Sequence, residues 1–156
     1  MAIADHFRDE APLRALRAEY ASHRDELVAG MRDALPARYP PARGFVEAIE
    51  ASFYRGGPLA AANRERIIVA LLASREERFP LAVHVYVALM EGVSPEEIAH
   101  VVFLTGIYTG VPAFSQGIGV VEETLALLER LGAAADRAAR HPLTGVLPAL
   151  QAALRA

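Results

Sequence analysis

Apolar residues recur along the first part of the chain at the spacing of an amphipathic helix. Between Leu13 and Leu35 they return every three or four residues, with charged residues between them, and this spacing places them on one helix face. Residues 36–44 hold three prolines and a glycine, which predict a break. Residues 44–54 then form a second predicted helix. The N-terminal part, residues 5–54, is therefore predicted to be helical with one buried face.

Two segments in the middle of the chain are apolar around the whole helical circumference. Residues 62–74 open with Asn63 as the predicted N-cap, and residues 80–90 open with Pro80, which fits the first turn of a helix. A helix that is apolar on every face is expected to be buried on every face. Because this is more apolar surface than a domain of this size readily hides, we expect the chain to form oligomers.

The clearest helix start in the chain is Ser94. It is followed by Pro95 and, three residues on, by Glu97, which together form a capping box with proline at the first helical position. The helix that begins here is predicted to end near Gly110. A last long helix is predicted from about Pro112 to Leu131.

The C-terminal tail, residues 133–156, holds two weaker helical pieces separated by a His-Pro dipeptide at residues 141–142. Valine-rich runs such as residues 84–90 are also typical of strands, but the helix-start signals and the segment lengths favour helices. The sequence therefore predicts one all-α domain over residues 1–156.

Composition excludes several classes of protein. With Lys+Arg 16 against Asp+Glu 19 and a net charge of -3, the chain lacks the basic surface that nucleic acid or an acidic membrane would attract. No apolar run is long enough to span a membrane, and the N-terminus is acidic where a signal peptide is basic, so we expect a soluble, cytoplasmic protein. The absence of cysteine excludes disulfides, thiolate nucleophiles, cysteine-bound zinc and dithiol redox cycles.

His84 is the first candidate for chemistry, because it stands alone in an apolar helix. Its neighbours at three and four residues, such as Leu81 and Val87, are apolar, and no charged partner lies on its own helix face. A neutral imidazole in a partly dry site can act as a general base. The other interpretation is a core histidine bonded to a carbonyl. His6, His23 and His141 lie in polar or terminal stretches and are predicted to be solvated surface residues.

Glu65 is the second candidate. It lies in the first turn of the predicted helix over residues 62–74, between Arg64 and Arg66. It could be a charge partner of His84 or simply an N-terminal carboxylate that stabilises the helix dipole, and spacing alone does not decide whether the two residues meet. A further set, Glu96, Glu97 and His100, has a spacing that can bind a metal. Too few ligands accompany this set, and we predict no metal site.

Two glycine pairs resemble parts of phosphate-binding motifs. Gly117 and Gly119, and likewise Gly106 and Gly110, follow no predicted strand, and neither pair has the third glycine of a dinucleotide motif. We predict that these glycines allow helices to pack closely.

Taken together, these residues resemble the carboxymuconolactone decarboxylase family, within the alkylhydroperoxidase D-like superfamily. The resemblance lies in Arg64 and Glu65 at the start of an apolar helix, His84, the run ALMEGVSPEEI at residues 88–98, and YTGVPA at residues 108–113. It covers residues 59–125 almost without gaps. It implies an all-α, alkylhydroperoxidase D-like domain with buried central helices, assembled as a homotrimer or homohexamer.

The two branches of that superfamily imply different chemistry. The peroxidase branch carries Cys-x-x-Cys-x-x-x-His and an upstream glutamate. Here the glutamate corresponds to Glu65 and the histidine to His84, whereas Glu77 and Pro80 occupy the cysteine positions, so dithiol peroxidase activity is excluded. The decarboxylase branch needs no cysteine or cofactor, but commonly has a glutamate four residues before the histidine. Pro80 holds that position and cannot ionise.

Two functions are compatible with these observations. The first is a cofactor-free lyase or isomerase for a small carboxylated or lactone-like metabolite, in which His84 transfers the proton and Glu65 is its charge partner. Arg64 would hold the substrate carboxylate, and Tyr108 is a weaker candidate for the pocket. The second is a non-catalytic oligomeric binding or scaffold protein. In both cases we predict a small-molecule ligand, no cofactor, and no nucleic-acid or membrane partner.

Overall fold

The computed structural model describes residues 2–54, 57–137 and 145–154, with backbone only for residues 22–35, 53–54 and 135–137. The helices in these ranges are α1 Ala11–Arg38, α2 Arg43–Tyr54, α3 Ala61–Ser74, α4 Arg78–Met90, α5 Pro95–Thr109, α6 Val111–Arg137 and α7 Val146–Leu154, with short 3-10 turns at Ile3–Asp5 and Pro40–Ala42. The described residues contain no strand, so the all-α prediction is confirmed. None of the helices described is long and apolar enough to cross a membrane.

Helix α4 is the centre of the domain. It packs against α3, α6 and α7, and most of its side chains are buried on all sides: Leu81, Ala82, Val85, Tyr86, Val87, Ala88 and Leu89. This agrees with the prediction that residues 80–90 form a helix buried around its circumference. Residues 62–74 were also predicted to be buried on every face. In the single chain this is wrong, because Ile67 and Leu71 on α3 are about half exposed (48% and 57%).

The start of α5 is held by the predicted capping box. The Ser94 hydroxyl accepts the Glu97 backbone N–H at 3.2 Å, and the Ser94 N–H donates to the Glu97 carboxylate at 2.9 Å. The same carboxylate pairs with Arg66 of α3 at 2.7 Å. The Ser94 amide first, and then Arg66, lower the pKa of Glu97. This local prediction is confirmed.

The start of α3 was predicted less well. The helix begins at Ala61 with Ala60 as its N-cap, and Asn63 lies inside the first turn. The Ala60 carbonyl already accepts the N–H groups of Asn63 and Arg64, so the chain turns before Asn63. The Asn63 side chain instead accepts a hydrogen bond from Arg66 at 2.8 Å. The N-cap prediction for Asn63 is therefore wrong.

Other helix boundaries differ by a few residues. The first helix continues through Pro36 to Arg38, and the chain becomes extended only at Tyr39. Helix α6 runs on to Arg137, so the beginning of the tail continues α6 and is not a separate piece. The predicted break at residues 141–142 lies outside the described residues.

Helices α5 and α6 meet at small residues. A Cβ atom added at Gly106 would lie 2.5 Å from the Cβ of Phe114, and one added at Gly117 would lie 2.8 Å from Val102 Cγ1. Both distances are too short for a side chain to fit without movement of its neighbour. Close packing, as the sequence predicted, explains these two glycines.

The N-terminal segment is tied to α6, which the sequence did not predict. The His6 Nδ1 lies 2.9 Å from Glu129 Oε2, and the Phe7 N–H donates to Glu129 Oε1 at 3.0 Å. His6 is buried, so its predicted surface position is wrong. The partner lies 123 positions away in the sequence, beyond the reach of any local pattern. The His23 side chain and His141 lie outside the described residues.

Tyr86 on α4 is buried where this helix packs against α1. Its ring meets Tyr20 edge to face, with 5.7 Å between ring centroids. Burial, and to a lesser degree the neighbouring Tyr20 and Glu19, raise the pKa of Tyr86 well above its usual value. The folded protein therefore holds the phenol proton at pH values where the unfolded chain releases it.

Replacing Tyr86 with phenylalanine should make the protein less sensitive to alkaline pH. The stability linked to a raised pKa is complete below the unfolded value and is lost as pH rises above it. Above about pH 10, Tyr86 should account for a fall of about 1.4 kcal/mol per pH unit in the free energy of unfolding. The sequence contains no lysine, so tyrosines dominate side-chain titration there. Urea unfolding at a series of pH values measures the slope.

Tyr39→Phe is the matched control, because Tyr39 is exposed. This variant should keep the alkaline slope of the original protein. Equal slopes for the two variants would contradict the assignment of the effect to Tyr86.

Candidate functional site

Glu65 is a fully buried carboxylate in the first half of α3. It shares one face of the helix with Val69 and Ala73, at intervals of four residues, and all three are buried. An isolated charge in such a place would be strongly unfavourable, so it needs charged or hydrogen-bonding partners. The two partners found are His84 and Arg64.

His84 reaches Glu65 across a helical hairpin. Residues 75–77 connect α3 and α4, and this short connection makes the two helices neighbours with opposite directions. The His84 Nδ1 lies 2.8 Å from Glu65 Oε2, although the residues are 19 positions apart. The His84 side chain remains 24% exposed, whereas Glu65 is sealed. The pair therefore places a buried carboxylate directly behind an imidazole that solvent can reach.

Arg64 occupies the other side of the carboxylate. Its Nε donates to Glu65 Oε1 at 3.4 Å, and its NH1 group donates to the Ser52 carbonyl of α2 at 3.0 Å. The Arg64 side chain is itself mostly buried. The guanidinium thus links α2 to the start of α3, a structural role that the sequence did not reveal. A contact to a backbone carbonyl leaves no signal in residue types.

The geometry decides which ring nitrogen can react. When Glu65 is ionised its carboxylate can only accept hydrogen bonds, and Nδ1 of His84 then carries the proton between them. The neutral ring then has its lone pair on Nε2. A carboxylate behind Nδ1 also stabilises the imidazolium that forms when Nε2 takes up a proton. Such a pair can carry out general acid/base chemistry.

Glu77 and Pro80, which the resemblance places at the cysteine positions, lie at the start of α4. Glu77 is the N-cap residue, and its carboxylate pairs with Arg75 at 3.1 Å. Pro80 is in the first turn, as predicted, one turn before His84. Neither side chain offers a redox group or a proton donor beside the histidine.

Tyr108 and His100 lie on α5, a helix that packs against α3. Tyr108 is in the last turn and is 89% exposed, so its predicted place in the pocket remains a prediction. The His100 ring stacks on Phe103. The part of the chain that the structure describes contains no group of three or more residues that could hold a metal ion.

The described residues thus form an all-α domain in which a buried carboxylate lies behind a partly exposed histidine. The family model described as "Carboxymuconolactone decarboxylase family" matches residues 41–123, more than half of the chain, and the chain belongs to this family. The match begins within the turn before α2 and therefore includes the helix that Arg64 contacts. Comparison with curated proteins and with solved structures found no match.

Proposed function

We propose that this protein is a cofactor-free acid/base enzyme, a decarboxylase-like lyase or isomerase, for a small carboxylated or lactone-like metabolite. The observation that carries the proposal is the 2.8 Å pair between a sealed Glu65 and an accessible His84. A structural histidine needs only one hydrogen-bond partner and no solvent access. A proton-transfer group needs both a partner on one nitrogen and access to substrate on the other.

In the proposed decarboxylation, the bond between the substrate carboxylate and the neighbouring carbon breaks and carbon dioxide leaves. The electron pair remains on the substrate as a dienolate. His84, which has taken up a proton at Nε2 from solvent, then delivers that proton to carbon and returns to the neutral ring, and Glu65 stabilises the charged imidazolium before the transfer. The family assignment supports this reaction class, and the pair supplies the proton-transfer group that the reaction needs.

Arg64 is the proposed anion holder for the substrate. Its guanidinium lies beside the Glu65 carboxylate, where a cation also favours the negative charge that develops on the dienolate oxygen. The Ser52 carbonyl fixes its orientation. Tyr108 remains a weaker candidate for a substrate contact, because its ring stands in solvent.

The proposal is tested by turnover of a panel of small carboxylated lactones and their ring-opened acids. Release of carbon dioxide and loss of substrate absorbance are followed with and without a metal chelator. We expect turnover of at least one compound, at the same rate in both conditions, and no thiol-dependent consumption of hydroperoxide. Binding without turnover of any panel member would instead support the non-catalytic alternative, a ligand-binding or scaffold member of the family.

We also propose that the chain assembles into a homo-oligomer, in keeping with the trimer or hexamer that the resemblance implies. Apolar side chains stand exposed on neighbouring helices, namely Ile67 and Leu71 on α3 and Leu104, Ile107 and Tyr108 on α5. Helices α3 and α5 pack together. Exposed apolar surface of this kind is typical of a face that another protein covers.

Leu104→Asp should weaken this assembly. A carboxylate placed in an apolar interface has to be desolvated without a partner, which is strongly unfavourable. Light scattering should give three or six times the 16.8 kDa chain mass before the substitution and a smaller value after it. Phe45→Asp on α2, another exposed apolar residue, is the control and should leave the mass unchanged. Equal masses for the original protein and Leu104→Asp would refute the proposed interface.

A further inference from the structure

A groove separate from the His84 site lies between the N-terminal turn and helices α5 and α6. Its volume is about 370 Å³, within the range of small-molecule sites. Six of the residues that line it carry the argument: Ile3, Glu96, His100, Phe103, Phe114 and Ile118. Neither His84 nor Glu65 lines the groove.

Aromatic rings form one corner of this groove. Phe103 and Phe114 meet at 82° with 5.9 Å between ring centroids, and the His100 ring stacks on Phe103 at 6.0 Å. Phe103 is about half exposed, so part of its ring is open to a ligand. Aromatic faces are electron-rich and attract cations, including ammonium groups.

The charge on the lining of the groove also favours a cation. Glu96 is an exposed carboxylate on the lining, and it provides the formal charge among the lining residues. Glu96, His100 and Phe103 follow one another at successive turns of α5, so the carboxylate and the aromatic rings share one face of the helix. An anion would be repelled by the Glu96 carboxylate and would gain nothing from the face of an aromatic ring, which is also negative.

The opposite wall is fixed in place before any ligand arrives. Ile3 belongs to the N-terminal 3-10 turn, and the residues directly after it are anchored by Glu129. His6 and the Phe7 amide both bond to that carboxylate. A preformed wall lowers the entropic cost of binding, which distinguishes this groove from a gap beside a loose terminus.

From these observations we propose that the groove binds a small organic cation, an ammonium group attached to an aromatic or other apolar body. The apolar body packs between Ile3, Ile118 and the phenylalanine corner. The ammonium group lies toward Glu96. This site accounts for the aromatic cluster and the exposed carboxylate, neither of which takes part in the Glu65–His84 pair.

Three probes with the same phenylethyl body test the proposal: 2-phenylethylammonium, the neutral 2-phenylethanol and the anionic 3-phenylpropionate. Each is titrated into the assembled protein at low ionic strength, and binding is followed by amide chemical shifts in NMR spectra. The ammonium should bind about two- to five-fold more tightly than the alcohol, as one exposed ion pair allows, and the anion should bind most weakly. The largest shifts should fall on α5, α6 and the N-terminal turn.

Two variants identify the groups responsible. Glu96→Gln should remove the preference for the ammonium and leave the alcohol unchanged, whereas Glu47→Gln, at an exposed carboxylate of α2, should keep the preference. Phe103→Leu, which removes the ring but keeps an apolar side chain, should weaken binding of the ammonium.

Equal affinity for all three probes, or a preference that survives Glu96→Gln, would overturn the proposal. It is also overturned if no probe binds to the assembled protein, because another copy of the chain would then cover the groove. Loss of turnover at His84 has no bearing on these outcomes.

Discussion

His84→Asn is expected to lower turnover about 10²–10⁴-fold, the usual contribution of a general acid or base, and to leave the fold intact. The asparagine amide can take the place of Nδ1 and donate to Glu65, so the buried carboxylate keeps a hydrogen bond. The variant lacks the second ring nitrogen, Nε2, which transfers the proton in the proposed mechanism. Initial rates at saturating and limiting substrate measure the loss in kcat and in kcat/KM.

The control for this variant is its own free energy of unfolding. Because the side chain is only 24% exposed but keeps its donor, we expect a stability change of about 1 kcal/mol or less. His84→Gln provides a second test, since its longer side chain places the amide nearer to the Nε2 position and loses the short bond to Glu65. Unchanged turnover in a folded His84→Asn protein would refute the catalytic role.

Local signals in the sequence predicted those parts of the fold that local interactions determine. The start of α5 at Ser94 depends on two hydrogen bonds between residues three positions apart, so the residue types alone predict it. The burial of α4 follows from its unbroken apolar composition. The predicted N-cap of α3 was wrong because the Ala60 carbonyl accepts the first hydrogen bonds of the helix, and no side chain caps this end.

The candidate site was predicted as separate residues, and its geometry depends on packing that no spacing encodes. Glu65 and His84 meet because a three-residue connection folds α4 back along α3. The Ser52 carbonyl that holds Arg64 is a backbone group, and the Glu129 carboxylate that buries His6 comes from a distant helix. Ile67 and Leu71 on α3 show the same limit: the sequence predicts an apolar helix, but it does not tell which faces of that helix the domain buries.

Glu65→Ala is expected to destabilise the protein by about 3–5 kcal/mol, because removal of one member of a buried charge cluster leaves the others without its compensation. The Glu65 side chain is fully buried, and it accepts from both His84 and Arg64. The methyl group of alanine also leaves a cavity in place of the lost carboxylate. Urea unfolding at constant protein concentration measures the loss of free energy.

Glu65→Gln separates the charge from the shape of this side chain. Glutamine keeps one oxygen that can accept the His84 Nδ1–H, so we expect a smaller loss, about 1–3 kcal/mol. Its neutral amide cannot stabilise an imidazolium, however, and turnover should fall even where the fold survives. Glu47→Ala, at an exposed carboxylate of α2, should change stability by no more than about 0.5 kcal/mol.

If Glu65→Ala were as mild as Glu47→Ala, the carboxylate could not be the buried partner on which the orientation of His84 depends. A double-mutant cycle with His84→Ala, which removes the donor, should then give no coupling, whereas the 2.8 Å contact predicts a coupling of about 0.5–3 kcal/mol.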